Sequence, residues 1–197
     1  MNNESIMQKA LGKQWQQLPP VLQAHYQYEK NSDMGYLNIE YPSYMQPYLT
    51  FLHRLGALIN RHGKKIPTTV EKQMQGDRQY WNRTIQFPDN KNILFKSIWV
   101  HDKGNELIEY VNPLIGLRMR VYVENDKLHY EGVNFVLKIG DRLIPIPEWL
   151  FLGHTTIIEA QKGDDEFEMD FIVKHPLLGR VFRYSGKFKN VSDLIKK

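Results

Sequence analysis

One strand pattern places an arginine inside an apolar stripe. From residue 80 to 87 the side chains alternate, so Trp81, Arg83, Ile85 and Phe87 share one face. A guanidinium stays protonated, and an unpaired buried charge costs several kcal/mol. Arg83 must therefore contact a carboxylate, backbone carbonyls or water.

Glu109 is the acid that strand alternation places on a largely apolar face. We expect Arg83 and Glu109 to meet in the interior or pocket of a sheet, with Tyr184 or His175 nearby. Three roles stay open: a structural ion pair or an exposed edge, ligand orientation by Arg83, and general acid–base catalysis by Glu109 or His175. The candidate ligand-binding residues are Trp81, Arg83, Glu109, Phe171, Tyr184 and His175.

Known catalytic and metal-binding motifs are missing from the sequence. There is no dinucleotide or phosphate-binding loop, no G-x-S-x-G elbow and no H-E-x-x-H helix. The chain has no cysteine, which excludes disulfides, thiolate zinc sites and a cysteine nucleophile. Its seven histidines are scattered. We therefore predict no catalytic residues, no metal and no cofactor.

The charge pattern limits the class of partner. Net charge is +4 over 197 residues, and acids and bases are mixed along most of the chain, so we predict no nucleic-acid partner. No apolar run is long enough to span a membrane, and no targeting segment is apparent, so we expect a cytoplasmic protein. The basic run 61–65 is interpreted as a solvated helix end, with an anion or acidic-lipid patch as the alternative.

Helical periodicity occurs in three segments near the N-terminus. Residues 4–18 and a segment opening at Pro19-Pro20 predict two amphipathic helices on an outer surface. The third, from Tyr44 to His62, predicts one long helix with a wide apolar stripe, ending at Gly63. Such a helix needs a large apolar surface to cover.

After residue 65 the sequence is typical of antiparallel strands. We count eight or nine segments rich in β-branched and aromatic residues, plus one strand from Gly35 to Tyr41 before the long helix. The run 143–150 contains two prolines, which excludes a central strand.

Three hairpins can be put in register from charge and apolar pairing. In the first, Asn125-Asp126 forms the turn and Arg120 faces Glu131. In the second, around the turn 176–179, Phe171 faces Tyr184, and His175 lies opposite Arg180. In the third, a loop at residues 102–104 sets Trp99 against Leu107 and Ser97 against Glu109.

These elements together predict an α+β fold. We expect a strongly curved antiparallel sheet or partial β-barrel covered by one long helix, with the two N-terminal helices outside. Residues 1–190 form one domain in this prediction, and residues 191–197 form a short tail, frayed or disordered.

The order of several short motifs resembles the family described as domain of unknown function 4166. The motifs are Leu11-Gly12, Leu18-Pro19-Pro20 with His25, Gly35, Trp81-x-Arg83 with Phe87, Glu109, Pro145-x-Pro147, His175-Pro176-Leu177-Leu178-Gly179 and Tyr184-x-Gly186. The resemblance spans residues 10–190, is loose from 29 to 41, and excludes the lysine-rich tail. It implies a free-standing bacterial protein or a C-terminal appendage of larger proteins, including nucleotide-binding reductase-like and membrane proteins. It implies no catalytic residues.

The leading hypothesis for function is a non-catalytic module that binds a hydrophobic or lipid-like small molecule between sheet and helix. That hypothesis expects a cavity of several hundred Å³, the usual scale of ligand pockets. One alternative is an enzyme or enzyme-accessory domain that acts on a polar small molecule through Arg83 and Glu109. The other is a protein-docking module with an exposed apolar patch. A protein partner or a dimer is left open.

Overall fold

The computed structural model describes residues 4–27 and 30–191, in which eleven strands pair antiparallel throughout. The strands are β1 (Asn31–Glu40), β2 (Gly63–Gln75), β3 (Arg78–Gln86), β4 (Asn92–His101), β5 (Glu106–Tyr110), β6 (Ile115–Glu124), β7 (Lys127–Ile139), β8 (Arg142–Ile146), β9 (His154–Gln161), β10 (Glu166–His175) and β11 (Gly179–Asn190). Ten strands therefore follow residue 62, rather than the eight or nine expected.

The helices are short. They are α1 (Ile6–Leu11), α2 (Pro20–His25), α3 (Gln46–Arg54) and α4 (Glu148–Phe151), with 3₁₀ turns at Gly12–Gln17 and Ser43–Met45. A capping box fixes the start of α1, where the side chains of Ser5 and Gln8 each accept a hydrogen bond from the other's backbone N–H. Among the described residues, no helix is long and apolar enough to cross a membrane.

The sheet closes into a barrel of ten strands. The order runs β6-β5-β4-β3-β2-β1-β11-β10-β9-β7, and β7 pairs back onto β6. Strand β8, which contains Pro145, pairs with β7 outside this ring, so the run 143–150 holds no central strand, as predicted. The sheet closes further than the predicted partial barrel, because the accumulated twist of so many strands brings β1 against β11 and removes the open edges.

Two of the three predicted hairpins have the predicted register. Arg120 lies opposite Glu131 in the β6–β7 pair, and Phe171 lies opposite Tyr184 in the β10–β11 pair. The β4–β5 register was wrong by two residues, since Trp99 pairs with Glu109. Its loop lies one residue later than predicted because Asn105 exchanges hydrogen bonds with Val121 of β6.

The prediction of one long helix was wrong. Helix α3 ends at Arg54, and Gly56, with φ of 75°, reverses the chain. Ala57 and Ile59 are nevertheless buried, and Gly63 begins β2 instead of ending a helix. The apolar residues after Arg54 are thus buried by an extended segment.

The N-terminal helices do not lie on an outer surface. Leu22 and Tyr26 are at most 1% exposed, and α2 contacts β1, β9, β10 and β11. These contacts lie where β1 begins and β9 ends, so α1 and α2 close one end of the barrel, here called the α2 end. Helix α3 and residues 55–62 cover the opposite end, the α3 end, where Asn112 donates a hydrogen bond to the Leu55 carbonyl.

The predicted domain of residues 1–190 stays a prediction, although one core cluster extends from Ile6 to Phe188. Residues 192–197 of the predicted tail lie outside the described residues.

Candidate functional site

The barrel interior contains a cavity of about 100 Å³. Apolar and aromatic side chains make up most of its wall. Five of the six predicted residues line it: Trp81, Arg83, Glu109, Phe171 and Tyr184. The volume is smaller than the several hundred Å³ expected from the sequence.

The predicted contact between Arg83 and Glu109 is present. Arg83 Nη2 lies 3.1 Å from Glu109 Oε1, and Nη1 donates to Ser97 Oγ at 2.8 Å. The guanidinium also lies 4.8 Å from the centre of the Trp81 ring. Register explains the meeting, because Arg83, Ser97 and Glu109 all face inward on three consecutive strands. One Arg83 side chain thereby links β3, β4 and β5.

Tyr184 and Phe171 form the facing wall of the cavity. Their rings stack at 4.4 Å between centroids, as expected for directly opposed residues in an antiparallel pair. Burial raises the pKa of the Tyr184 phenol, so this hydroxyl stays protonated and can donate a hydrogen bond.

His175 does not join the other five residues. The sequence predicted that His175 lies opposite Arg180. A register shift between Val173 and Lys174 places it opposite Gly179 instead. Its Nε2 lies 3.0 Å from the carbonyl oxygen of Trp149, beside the turn at the α3 end. His175 lines a surface groove there and not the interior cavity.

A buried ionic cluster that the sequence analysis missed lies at the α2 end. Lys72 Nζ is 2.5 Å from Asp33 Oδ2 and 2.6 Å from both Nδ1 and the carbonyl oxygen of His25. His25 Nδ1 is itself 2.7 Å from Asp33 Oδ2. The ammonium thus donates to the Asp33 carboxylate and to the His25 carbonyl, whereas His25 Nδ1 either accepts from Lys72 or donates to Asp33, depending on its tautomer.

Burial sets the protonation states of this cluster. It lowers the pKa of the His25 imidazole to about 4 and that of the Lys72 ammonium to about 8. Burial alone would raise the pKa of Asp33, but its contacts with His25 and Lys72 hold it at about 2. At neutral pH the cluster is therefore a Lys72–Asp33 ion pair with a neutral His25.

Glu159 forms a second buried group beside the first. Both of its oxygens accept from the Tyr26 hydroxyl, at 2.9 and 2.8 Å, and the Tyr130 hydroxyl donates to that of Tyr26. Burial raises the pKa of Glu159 to about 7. His25, Tyr26, Tyr130 and Glu159 all line the cavity, so its α2 end is polar and titratable.

The strand alternation that identified Arg83 as an inward-facing charge also marks two residues of these buried groups, Lys72 and Glu159. Lys72 follows buried Ile66, Thr68 and Val70 at a spacing of two, and Glu159 follows Thr155 and Ile157 in the same way. No comparable pattern marks Asp33 or His25, because α2 reaches Asp33 through the tertiary fold.

Two polar atoms of the cavity-lining residues lack a hydrogen-bond partner within the described part of the chain. They are Trp99 Nε1 and Thr155 Oγ1, on side chains that are nearly fully buried. Both groups can donate a hydrogen bond. Within the same residues, no group of three or more His, Asp or Glu side chains is arranged to hold a metal ion.

Comparison with known proteins gives one positive result. No curated protein and no solved structure matches the chain significantly. A family model described as "Domain of unknown function (DUF4166)" matches residues 18–188, which include the whole cavity lining and all of the barrel strands except the last two residues of β11. The chain therefore belongs to the DUF4166 family.

Proposed function

We propose that the protein is a non-catalytic module that holds a small, largely apolar molecule in its barrel cavity. The ligand has an apolar body against the aromatic wall and one hydrogen-bond-accepting group. Trp81, Phe171 and Tyr184 supply the wall, and Arg83 with Glu109 forms a charged side of the same cavity.

The unpaired donors of Trp99 and Thr155 carry this proposal. A buried polar group without a partner costs about 1–3 kcal/mol. Two such groups on one apolar cavity indicate that something absent from the protein chain accepts their hydrogen bonds. A ligand oxygen within reach of either donor removes the cost of leaving that donor unpaired, while the apolar part of the ligand stays in contact with the rings.

The cavity volume restricts the size of the ligand. A dry apolar cavity of about 150 Å³ is enough to bind benzene. The 100 Å³ present here admits a molecule of that order with slight expansion. A lipid-like ligand requires displacement of α3 and residues 55–62, which cover the cavity with Leu52, Leu58 and Ile59.

An enzyme or enzyme-accessory role is the second candidate, and the polar α2 end favours it. Groups with strongly shifted pKa values, such as Glu159, converge on the cavity, as they do in active sites. Binding is preferred because these groups are occupied by one another: Lys72 donates to Asp33 and to the His25 carbonyl, and both oxygens of Glu159 accept from Tyr26. A protein-docking role concerns the outer surface and is a third candidate.

The test combines native mass spectrometry of the purified protein with titration by benzyl alcohol. We expect a retained small molecule or saturable probe binding that Trp99→Phe with Thr155→Val weakens at least about fivefold, the effect of losing one net hydrogen bond. Thr69→Val, outside the cavity lining, is the matched control. No retained molecule together with no probe binding contradicts the proposal.

The role of Arg83 is tested separately with benzoate, the anionic analogue of the probe. If Arg83 orients ligands by charge, Arg83→Met weakens benzoate binding more than benzyl alcohol binding. The double variant Arg83→Met with Glu109→Gln controls for the carboxylate left unpaired. Full benzoate binding by a stable Arg83→Met protein would assign Arg83 to structure alone.

A further inference from the structure

We propose that the α3 end of the barrel docks on an anionic lipid bilayer. This surface lies outside the cavity and goes beyond the proposed ligand binding. It carries eight large apolar side chains that are more than half exposed. Two are Leu114 and Ile139, and the other six, here called the apolar rim, are Tyr44, Phe51, Trp149, Leu150, Leu177 and Leu178. Leu177 is 88% exposed and Trp149 is 59% exposed, values unusual for such side chains.

Contacts join the rim residues into one surface. The Tyr44 hydroxyl donates to the Leu178 carbonyl, and His175 connects the same turn to the backbone of Trp149. The Tyr48 hydroxyl donates to the Phe151 carbonyl, and its ring stacks on that of Phe51. The rim therefore combines α3, α4 and the β10–β11 turn, and contiguous exposed apolar surface of this kind marks an interaction site.

The exposed charge of the protein is distributed unevenly, and its excess lies beside the rim. Residues 41–65, 87–92, 111–115, 138–153 and 174–180 make up the α3 end. They contain two exposed acids, Asp89 and Asp141, and seven exposed cations: Arg54, Lys64, Lys65, Lys91, Arg142, Lys174 and Arg180. At the α2 end, residues 4–27 and 30 with the turns 76–78, 102–106, 124–127 and 161–166 hold seven exposed cations and six exposed acids.

This combination fits a bilayer with acidic headgroups. Tryptophan and tyrosine favour the membrane interface, leucines at turn tips can enter the acyl boundary, and lysine and arginine contact anionic headgroups. An acidic protein surface would match the cations but would leave Leu177 and Leu178 without a reason for their exposure. A second copy of this chain would bring two positively charged ends together.

The rim also adjoins the cover of the cavity. Phe151, bonded to Tyr48 of α3, is a cavity-lining residue, as is Leu58 in the segment after α3. Docking would therefore place the cover of the cavity at the bilayer. The exposed Lys64 and Lys65 belong to this surface, which favours the acidic-lipid interpretation of the basic run 61–65.

Vesicle flotation tests the proposal with the intact protein. We expect binding to phosphatidylcholine vesicles that contain about 30% phosphatidylglycerol, weak binding to pure phosphatidylcholine, and release by high salt. Leu177→Ser with Leu178→Ser should lower the partition coefficient at least about tenfold. Arg142→Gln with Lys174→Gln should lower it at least about fivefold on anionic vesicles only.

Matched variants separate docking from folding and from cavity binding. Leu94→Ser with Ile158→Ser removes exposed apolar side chains from the barrel wall and should leave flotation unchanged. Trp99→Phe with Thr155→Val should also leave it unchanged, so cavity binding and docking can fail independently. The proposal is overturned if the wild type does not float with the vesicles. It is also overturned if Leu94→Ser with Ile158→Ser lowers vesicle binding as much as Leu177→Ser with Leu178→Ser does. The proposal is also overturned if the wild type does not bind vesicles but sediments as a dimer, and if Leu177→Ser with Leu178→Ser dissociates that dimer.

Discussion

At the scale of single residues, Glu159 and His25 have opposite effects on the pH dependence of stability. The pKa of Glu159 rises from 4.5 to about 7 on folding, so the folded state binds more protons in that window and stability falls as pH rises. The pKa of His25 falls from 6.5 to about 4, so the unfolded state binds more protons and stability rises with pH. The two effects oppose each other between about pH 4.5 and 6.5.

Replacing Glu159 should expose the effect of His25. In Glu159→Gln we expect the free energy of unfolding to rise by about 2–3 kcal/mol between pH 4.5 and 6.5, while the wild type changes much less. Urea denaturation at a series of pH values measures both profiles. Glu71→Gln, at an exposed position on β2, is the control and should follow the wild type. Parallel profiles for Glu159→Gln and the wild type would contradict the assignment.

At the scale of elements, the β6–β7 turn is formed by two residues in the left-handed region. Asn125 and Asp126 have φ of 51° and 57°, as a two-residue hairpin turn of the I′ type requires. Asparagine suits the first position, but an aspartate at the second carries a Cβ penalty that glycine lacks. The turn is therefore correct in type but not optimal in sequence.

Asp126→Gly should stabilise the protein. Relief of the Cβ penalty should increase the free energy of unfolding by about 0.5–1 kcal/mol. The greater conformational entropy of glycine in the unfolded chain offsets part of this gain. Chemical denaturation measures the difference. Asp77→Gly, in another exposed turn and not among the residues with positive φ, should not stabilise. A similar change in both variants would argue against the turn geometry.

At the scale of the whole molecule, barrel closure gives every described strand except β8 at least two neighbouring strands. Strand β8 alone is an edge, since it pairs only with β7. Closure through β1 and β11 distributes backbone hydrogen bonds around the ring, so the ten strands should open only together.

Hydrogen exchange should separate this ring from its cover. Amides of the ten barrel strands are expected to exchange by global unfolding, whereas those of β8, α3 and residues 55–62 exchange faster through local opening. Exchange monitored by mass spectrometry resolves these segments. Exchange across the β1–β11 pair as fast as in β8 would show that the barrel opens at this seam.

The sequence by itself determined the features that depend on neighbouring residues. Hairpin registers such as Arg120 with Glu131, and the inward face of β3, follow from side-chain alternation and turn chemistry over about twenty residues. The meeting of Arg83 with Glu109 followed from the same rule, since an inward charge on an apolar face requires a partner. The prediction of this contact is correct although the predicted β4–β5 register is wrong by two residues, because a shift of two residues keeps each side chain on the same face of the sheet.

Only the tertiary structure decided how these pieces enclose space. The pairing of β1 with β11 joins residues about 150 positions apart, and no local pattern encodes that closure. The helical periodicity beyond Arg54 was overruled because the open barrel end buries the same apolar residues in an extended segment that Gly56 turns inward. The His25, Asp33 and Lys72 cluster likewise forms because α2 closes the other end, where burial makes ionic partners obligatory.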